Sequence, residues 1–371
     1  MPHGIYVHVP WCRVHCPYCG FYVATDPRPP VERFVDRVLE EAASWAPAFP
    51  GLARSISLGG GTPSRLPPSA LGRLIRGLPH APDAEISLEA NPEDVSEAWL
   101  DEVLALGFHR VSLGVQSFQA HVARRLGRGH TVEGARRAVE VLARGAAPSW
   151  SLDLIFAVPG QTLEDLGRDL DVVVDSGAPH VSLYGLTIEP GTPFARLEAS
   201  GRMRQVDDDL WRAMYDLVVE RLEAAGLHRY EVSNFARPGH RSAHNEGYWE
   251  GRPYMGLGPS AHGFAPDGRR WVGVPDVDAW LRGAPPRIEH PTGEEAAADL
   301  LVAALRHVVG LDVSALAART GYEPDGEVVR GLVSAGVLTW ADGRLALTAA
   351  GYPLADQVTG RLVRALRRSP G

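Results

Sequence analysis

Lysine is absent from this chain of 371 residues, and all 37 basic side chains are arginine. That excludes chemistry that needs a primary amine on the protein: a Schiff base, covalent pyridoxal phosphate, or the lysine of a Walker phosphate loop. Cysteine is nearly as scarce. The three present, Cys12, Cys16 and Cys19, fall within eight residues. An odd, crowded set makes a poor disulfide framework and points to a metal site in a reducing compartment. Positive charge is also in deficit. The net charge of −8 argues against nonspecific binding to nucleic acid or an anionic membrane. No apolar run approaches the roughly 18 residues of a membrane span. The start, Met1-Pro2-His3-Gly4, lacks the charged segment of a secretory leader. A cytoplasmic protein without a membrane anchor is therefore expected.

Short runs rich in Val, Ile and Leu recur through the first half: Ile5–Val9, Ser55–Leu58, Ile86–Glu89, Arg110–Val115, Leu152–Phe156 and His180–Tyr184. They have the composition of strands buried on both faces. Helix-period stretches separate them, at Val31–Ala43, Ser96–Leu106, Thr131–Arg144 and Thr162–Asp175, several with a capping Thr before and a Gly after. The alternation predicts an α/β fold, a partial (β/α)6 TIM-like barrel whose chemistry sits at the C-terminal ends of the strands. A helix is expected from about Asp207 to Ala225. From about Thr292, three helices and a hairpin with an Asp342-Gly343 turn predict a small winged-helix-like α+β module. The expected organisation is a barrel over residues 1–225, an irregular Gly- and aromatic-rich extension over 226–290, and the C-terminal module over 291–371.

Cys12-x3-Cys16-x2-Cys19 follows the first strand. Three thiolates on one tight loop suit three irons of a [4Fe–4S] cubane and leave the fourth without a protein ligand. Zinc is the competing occupant, but structural zinc takes four ligands, and His15 inside the loop is not counted as the fourth. Plain reduced thiols are the remaining alternative. Gly59-Gly60-Gly61-Thr62-Pro63 ends the second strand, and its glycines allow close approach to a ligand or simply form a turn. Glu89, Gln116 and Asp153 sit at or in later strands, and Arg128 lies in Gly127-Arg128-Gly129-His130. A charge in a buried strand needs a partner, so each reads either as a ligand contact or as a barrel ion pair. His244-Asn245-Glu246-Gly247-Tyr248-Trp249 offers an imidazole suited to heme iron beside two aromatics, or else a capped loop with a core aromatic pair.

Taken together, these motifs resemble the radical S-adenosylmethionine (SAM) family. Within it, over about residues 4 to 350, they resemble the oxygen-independent coproporphyrinogen III oxidases and their heme-chaperone branch. In that family the open iron binds the amino and carboxylate groups of SAM, and an electron from the cluster cleaves it to a 5′-deoxyadenosyl radical. The resemblance implies a [4Fe–4S] cluster on Cys12, Cys16 and Cys19. It implies SAM pockets lined by Tyr6, Tyr18, Gly60, Gly61, Thr62, Glu89, Gln116, Arg128 and Asp153, with Tyr18 against the adenine. It further implies heme b held by His244, Asn245, Tyr248 and Trp249, with His244 on the heme iron.

Two features favour the chaperone branch. Phe21 stands where the oxidase has a further cysteine, and the His-Asn-x-x-Tyr-Trp motif is the chaperone's. Gly20 departs from it, since the chaperone usually has Asp there and the oxidase Gly. An N-terminal extension found in the oxidase is not expected here. The resemblance thus implies a heme chaperone without oxidase activity that passes heme to apoproteins, among them membrane-bound respiratory enzymes, through transient contact with the inner face of the membrane. A homodimer fits the same reading. The alternative is the oxidase itself, which decarboxylates two propionates of coproporphyrinogen III. Gly256, Gly258, Gly263 and His262 resemble the stretch that closes the SAM site, His262 being either a contact or a structural histidine. The C-terminal module carries nine acidic and eight basic residues from Gly293 on, which disfavours nucleic acid as its partner.

Overall fold

The structure, a computed structural model, describes residues 2–369; Met1, part of the start read above, lies outside them. Six strands run parallel in chain order: β1 (Gly4–Val9), β2 (Ala53–Gly60), β3 (His80–Ala90), β4 (Arg110–Gln116), β5 (Ser149–Phe156) and β6 (His180–Gly185). The returning helices are α1 (Val31–Trp45), α2 (Pro68–Gly77), α3 (Glu97–Ala105), α4 (Ala120–Arg125), α5 (Val132–Arg144) and α6 (Leu163–Ser176). Their ends follow from local chemistry. Ser96 and Thr131 cap α3 and α5 by accepting a backbone N–H. Thr162 and Asp165 form a reciprocal capping box on α6, and Gly177 ends that helix in the left-handed region at φ 71°.

The predicted partial (β/α)6 barrel is present, and the sheet is longer than the six strands read from sequence. The stretch 226–290 supplies six more: β7 (His228–Arg229), β8 (Asn234–Ala236), β9 (Tyr254–Leu257), β10 (His262–Phe264), β11 (Arg270–Val272) and β12 (Arg287–Glu289). The order across the sheet is β12-β11-β10-β9-β1-β2-β3-β4-β5-β6-β8-β7. β9 is parallel to β1, with Gly4 opposite Tyr254 and Val7 opposite Leu257, and so acts as a seventh parallel strand. Three further helices belong to this half, α7 (Pro193–Ala199), α8 (Asp208–Ala224) and α9 (Ala243–Trp249), followed by α10 (Val277–Leu281). Aromatics close the β1 side, where buried Trp11 meets buried Phe34 edge-on and half-buried Trp45 stacks on buried Trp271 at 3.9 Å.

Gly293 onward folds as the expected module. It comprises α11 (Gly293–Arg306), α12 (Val313–Thr320), α13 (Gly326–Ser334) and α14 (Ala355–Val363) with two small antiparallel sheets, the hairpin spanning Leu338–Leu347. Asp342 and Gly343 both take positive φ, 51° and 74°, the geometry of a two-residue hairpin turn that matches strand twist. No helix among the described residues is long and apolar enough to cross a membrane.

Strained backbone gathers at one rim. Of the non-glycine residues with positive φ, Gln116 ends β4, Ala157 follows β5 and Ser260 lies just past β9. Each costs about 1–3 kcal/mol, and such residues persist where surroundings over-determine them, characteristically at ligand sites. Behind Gln116, Asp169 of α6 is 1% exposed and accepts three hydrogen bonds, from Ser117 Oγ (2.7 Å), Phe118 N (2.9 Å) and Gln119 Nε2 (2.9 Å). Asp169→Ala strands these donors in the interior and should lower unfolding free energy by roughly 3 kcal/mol in denaturant titration.

Candidate functional site

The cysteine loop hangs from the C-terminal end of β1. It is tied back by Cys12 N–H to the Ala24 carbonyl (3.0 Å) and Ala24 N–H to the Pro10 carbonyl (2.7 Å). Cys16 is buried, while Cys12 and Cys19 are partly so, and all three are free thiols. Burial pushes the Cys12 and Cys19 thiols up, and the neighbouring cysteines add to it. Among the described residues no set of three His, Cys, Asp or Glu side chains is already converged as a metal site. His15 is exposed and pairs with the Cys19 carbonyl (3.3 Å).

Two of the sulfurs are joined by a chain of polar side chains from the neighbouring strand ends. Thr62 Oγ1 donates to Cys12 Sγ (3.3 Å), and Asn91 Nδ2 donates to Thr62 Oγ1 (3.1 Å). Arg128 then donates to Asn91 Oδ1 (2.5 Å), to the Gly114 carbonyl (2.8 Å) and to Cys16 Sγ (3.6 Å). Arg128 Nε is buried without a hydrogen-bond partner. Tyr18 lies in the same cluster, close enough to Arg128 for the guanidinium to offset part of the upward push that burial gives its phenol. Asn91 is absent from the residues predicted from sequence. Its motif Glu89-Ala90-Asn91-Pro92 was visible, but its partners are 29 and 37 positions away.

The glycine turn has a packing reason of its own. Gly60 has φ 101°, and a Cβ there would sit 2.4 Å from the His8 ring; one on Gly61 would sit 2.7 Å from the Val9 carbonyl oxygen. Only glycine lets the β2 end lie this close to β1. His8, a second residue absent from the predicted site although its motif Ile5-Tyr6-x-His8-x-Pro10 was visible, is buried and pairs with Tyr6 OH (3.2 Å) and the Tyr22 carbonyl (2.9 Å).

Below the loop the barrel interior is polar. Glu89 is enclosed by protein yet open to water, as is Tyr184, which is 44% exposed. Enclosure, reinforced by the nearby Asp153 carboxylate, lifts Glu89 to about 7, against a hydrogen bond from Gly60 N–H at 3.3 Å. Asp153 is also raised by burial, offset by Ser112 Oγ, which lies 2.8 Å from both carboxylate oxygens. Gln116 sits at a register shift between β4 and β5, which re-aims its side chain at the rim.

The His244 motif forms α9 at the opposite, N-terminal end of the barrel. His244 is 4% exposed and lies against Gly4 at the start of β1. Its Nδ1 pairs with Ser55 Oγ and its Nε2 with Tyr248 OH, each at 2.8 Å. Burial lowers its pKa to about 4, so the ring is neutral. Both nitrogens are engaged, and the adjoining cavity holds about 30 Å3, far below the roughly 300 Å3 of a small ligand pocket. In this arrangement His244 is closed to an iron. Nor does the motif present one face. Tyr248 packs edge-on to His244 (4.8 Å) and Tyr254 (4.6 Å), within electrostatic range of Tyr6 and Glu89, so it floors the barrel. Trp249 instead faces a separate groove. The i, i+4 spacing of His244 and Tyr248 was the signal for their pairing.

Phe21 is 66% exposed beside the cysteine loop. A Cβ on Gly20 would meet the Glu189 side chain at 3.1 Å, a contact that Glu189 must yield to before a larger residue fits. His262 is exposed on β10.

Residues 6–173 match the model of the radical SAM superfamily. A heme chaperone HemW of Mycobacterium tuberculosis is 36% identical over 98% of this chain and 95% of its own length. Those of Bacillus subtilis and Escherichia coli are 32% and 38% identical, over 96% and 72% of this chain and 97% and 72% of theirs. Among solved structures, coproporphyrinogen III oxidase (HemN) from Escherichia coli superposes with a TM-score of 0.81 at 21% identity, over 97% of this chain and 90% of that one, a likeness of fold.

The Glu89 environment gives a pH signature. Its carboxyl holds a proton in the folded chain up to about 7 but loses it near 4.5 when unfolded. Folded protein therefore binds more protons across that window, and stability falls as pH rises through it. Glu89→Gln removes this loss. In iron-free protein its stability relative to the native chain should be higher at pH 8 than at pH 5, by denaturant unfolding; an equal difference at both would contradict the assignment.

Proposed function

The chain belongs to the HemW heme-chaperone group of the radical SAM superfamily, and on that premise we propose that it carries a [4Fe–4S] cluster and SAM at the barrel mouth, binds heme b, and hands the heme to apoproteins. The observation that carries the reading is the linked set Cys12–Thr62–Asn91–Arg128–Cys16 above a polar lumen. The residues present fit the groups. Soft thiols suit iron–sulfur chemistry, and the unpartnered Arg128 Nε leaves one donor for an anionic ligand. Cys12, Cys16 and Cys19 would hold the cluster, which supplies an electron-transfer centre with one iron open to SAM.

This chain's own residues do the rest. Arg128 places a fixed positive charge beside Cys16 and holds the strand ends in register. Tyr6, Gly60, Gly61, Thr62, Glu89, Gln116 and Asp153 line the mouth and lumen proposed for SAM. Glu89, poised near neutrality, accepts or gives a proton inside the lumen. His244 is proposed as an iron ligand only in a conformation where Tyr248 has released Nε2. Recipients are proposed to include membrane-bound respiratory enzymes, met transiently at the inner face of the membrane from a cytoplasmic pool.

The oxidase reading retains one observation, Gly20. An anaerobic assay separates the two. Reconstituted protein with SAM and reductant should contain iron and sulfide in cluster ratio, bind hemin at one per chain, and form no protoporphyrinogen from coproporphyrinogen III. Sustained decarboxylation would overturn the chaperone reading. Cys12→Ala, Cys16→Ala and Cys19→Ala should each lose the cluster absorption, whereas Asn91→Ala should retain a cluster of altered electron paramagnetic resonance spectrum.

A further inference from the structure

A line of buried side chains runs from the lumen into the barrel wall. Ser151 Oγ lies 3.3 Å from Asp153 Oδ1, two residues along β5 and so on the same face. His180, at the start of β6 and opposite Ser151, puts Nδ1 2.7 Å from that hydroxyl. Its Nε2 lies 2.8 Å from Tyr230 OH, and Ser242 N–H donates to the same phenol oxygen at 3.4 Å. Ser151, His180 and Tyr230 are 1%, 2% and 0% exposed, so each proton in the line needs a partner within it. The direction of the line follows from its ends. Tyr230 accepts from Ser242, and the one acceptor its O–H meets among the described residues is His180 Nε2. Burial, with Arg110 and His240 beside it, holds His180 well below its ordinary value, so the ring is neutral. Nε2 therefore accepts and Nδ1 carries the proton. Nδ1–H donates to Ser151, whose own hydroxyl is left to donate to Asp153. Every proton in the line points at the carboxylate.

Asp153 is further supported by the hydroxyls of Ser112 on β4 and Ser182 on β6 and by the charge of Arg128. Glu89 on β3 faces it with a backbone N–H alone, that of Gly60. The phenols that face the pair, Tyr6, Tyr184 and Tyr248, are held neutral by burial. Two enclosed carboxyls in each other's field do not both ionise freely, and the better-supported one loses its proton first. We propose that His180 and Tyr230 are positioning residues for the lumen: through Ser151 they hold Asp153 as the anion, and the proton that the pair retains resides on Glu89. Asp153 then meets a ligand only as an acceptor, whereas Glu89 can give a proton. The use of this arrangement rests on the reading of the lumen given above, but the line itself needs neither cluster nor SAM.

The test uses the full-length reconstituted protein without added SAM, followed by histidine 15N spectra and by the infrared band of protonated carboxyls between about pH 5 and 9. In native protein the His180 signal, identified by its loss in His180→Gln, should show the Nδ1–H tautomer. The carboxyl band should titrate near neutrality and vanish in Glu89→Gln. Ser151→Ala cuts the line and should raise the proton affinity of Asp153 roughly tenfold, read as a second band that Asp153→Asn abolishes. Tyr230→Phe removes the donor that pins Nε2 as an acceptor. The ring proton is then free to move to Nε2 and Ser151 to turn its hydroxyl into Nδ1, so Nε2–H should appear and Asp153 should again bind its proton more tightly. Unchanged melting temperatures would certify folding in each variant. A charged or Nε2–H ring in native protein, a band that survives Glu89→Gln, or native titration in both Ser151→Ala and Tyr230→Phe would overturn the proposal. Failure of native protein to hold a cluster or SAM would overturn the functional reading and leave the line standing.

Discussion

The guanidinium of Arg128 holds the mouth of this barrel together. It reaches Cys16 on the loop after β1, Asn91 after β3 and the Gly114 carbonyl in β4, and through Asn91 and Thr62 it reaches Cys12 and the end of β2. Four strand ends are thus tied by one cation. The choice is physical. A planar fork with five donors satisfies several fixed acceptors at once, keeps its charge under burial, and stabilises thiolates that crowd each other. In a chain with no lysine, this work falls to arginine.

Beneath that clamp the interior is organised by unequal carboxylates. Asp153 is supported by serine hydroxyls, whereas Glu89 has a single backbone N–H and the field of its neighbour. The floor is formed by Tyr248, which shares a hydrogen bond with the neutral His244 and packs edge-on to Tyr254. The barrel therefore has a carboxylate-bearing middle on strands β3 and β5, between a sulfur-lined top on the loop after β1 and an aromatic base on α9.

Much of this was legible in the residues. The six strand runs, the Thr131 and Thr162 caps, the hairpin at Asp342-Gly343 and the three cysteines are local signals, and the elements formed where expected, with β3 alone starting six residues early at His80. What was not legible depends on distance along the chain. Tyr254-Met255-Gly256-Leu257 is a strand too short and too Gly-broken to show a period, and it exists because β1 offers it an edge. Asn91 has no signature without Thr62 and Arg128 beside it. The histidine motif was readable as chemistry, but which cavity each of its side chains would face was not, because that is set by Ser55, Gly4 and the C-terminal module.

The pairing of β9 with β1 bears on how the protein is made. Strand β1 leaves the ribosome first, but its outer neighbour is encoded some 250 residues later. At about 5–20 residues per second, that neighbour follows after roughly 12–50 s. Throughout that interval the nascent cysteine loop sits on a strand with one bare flank, beside a half-built lumen.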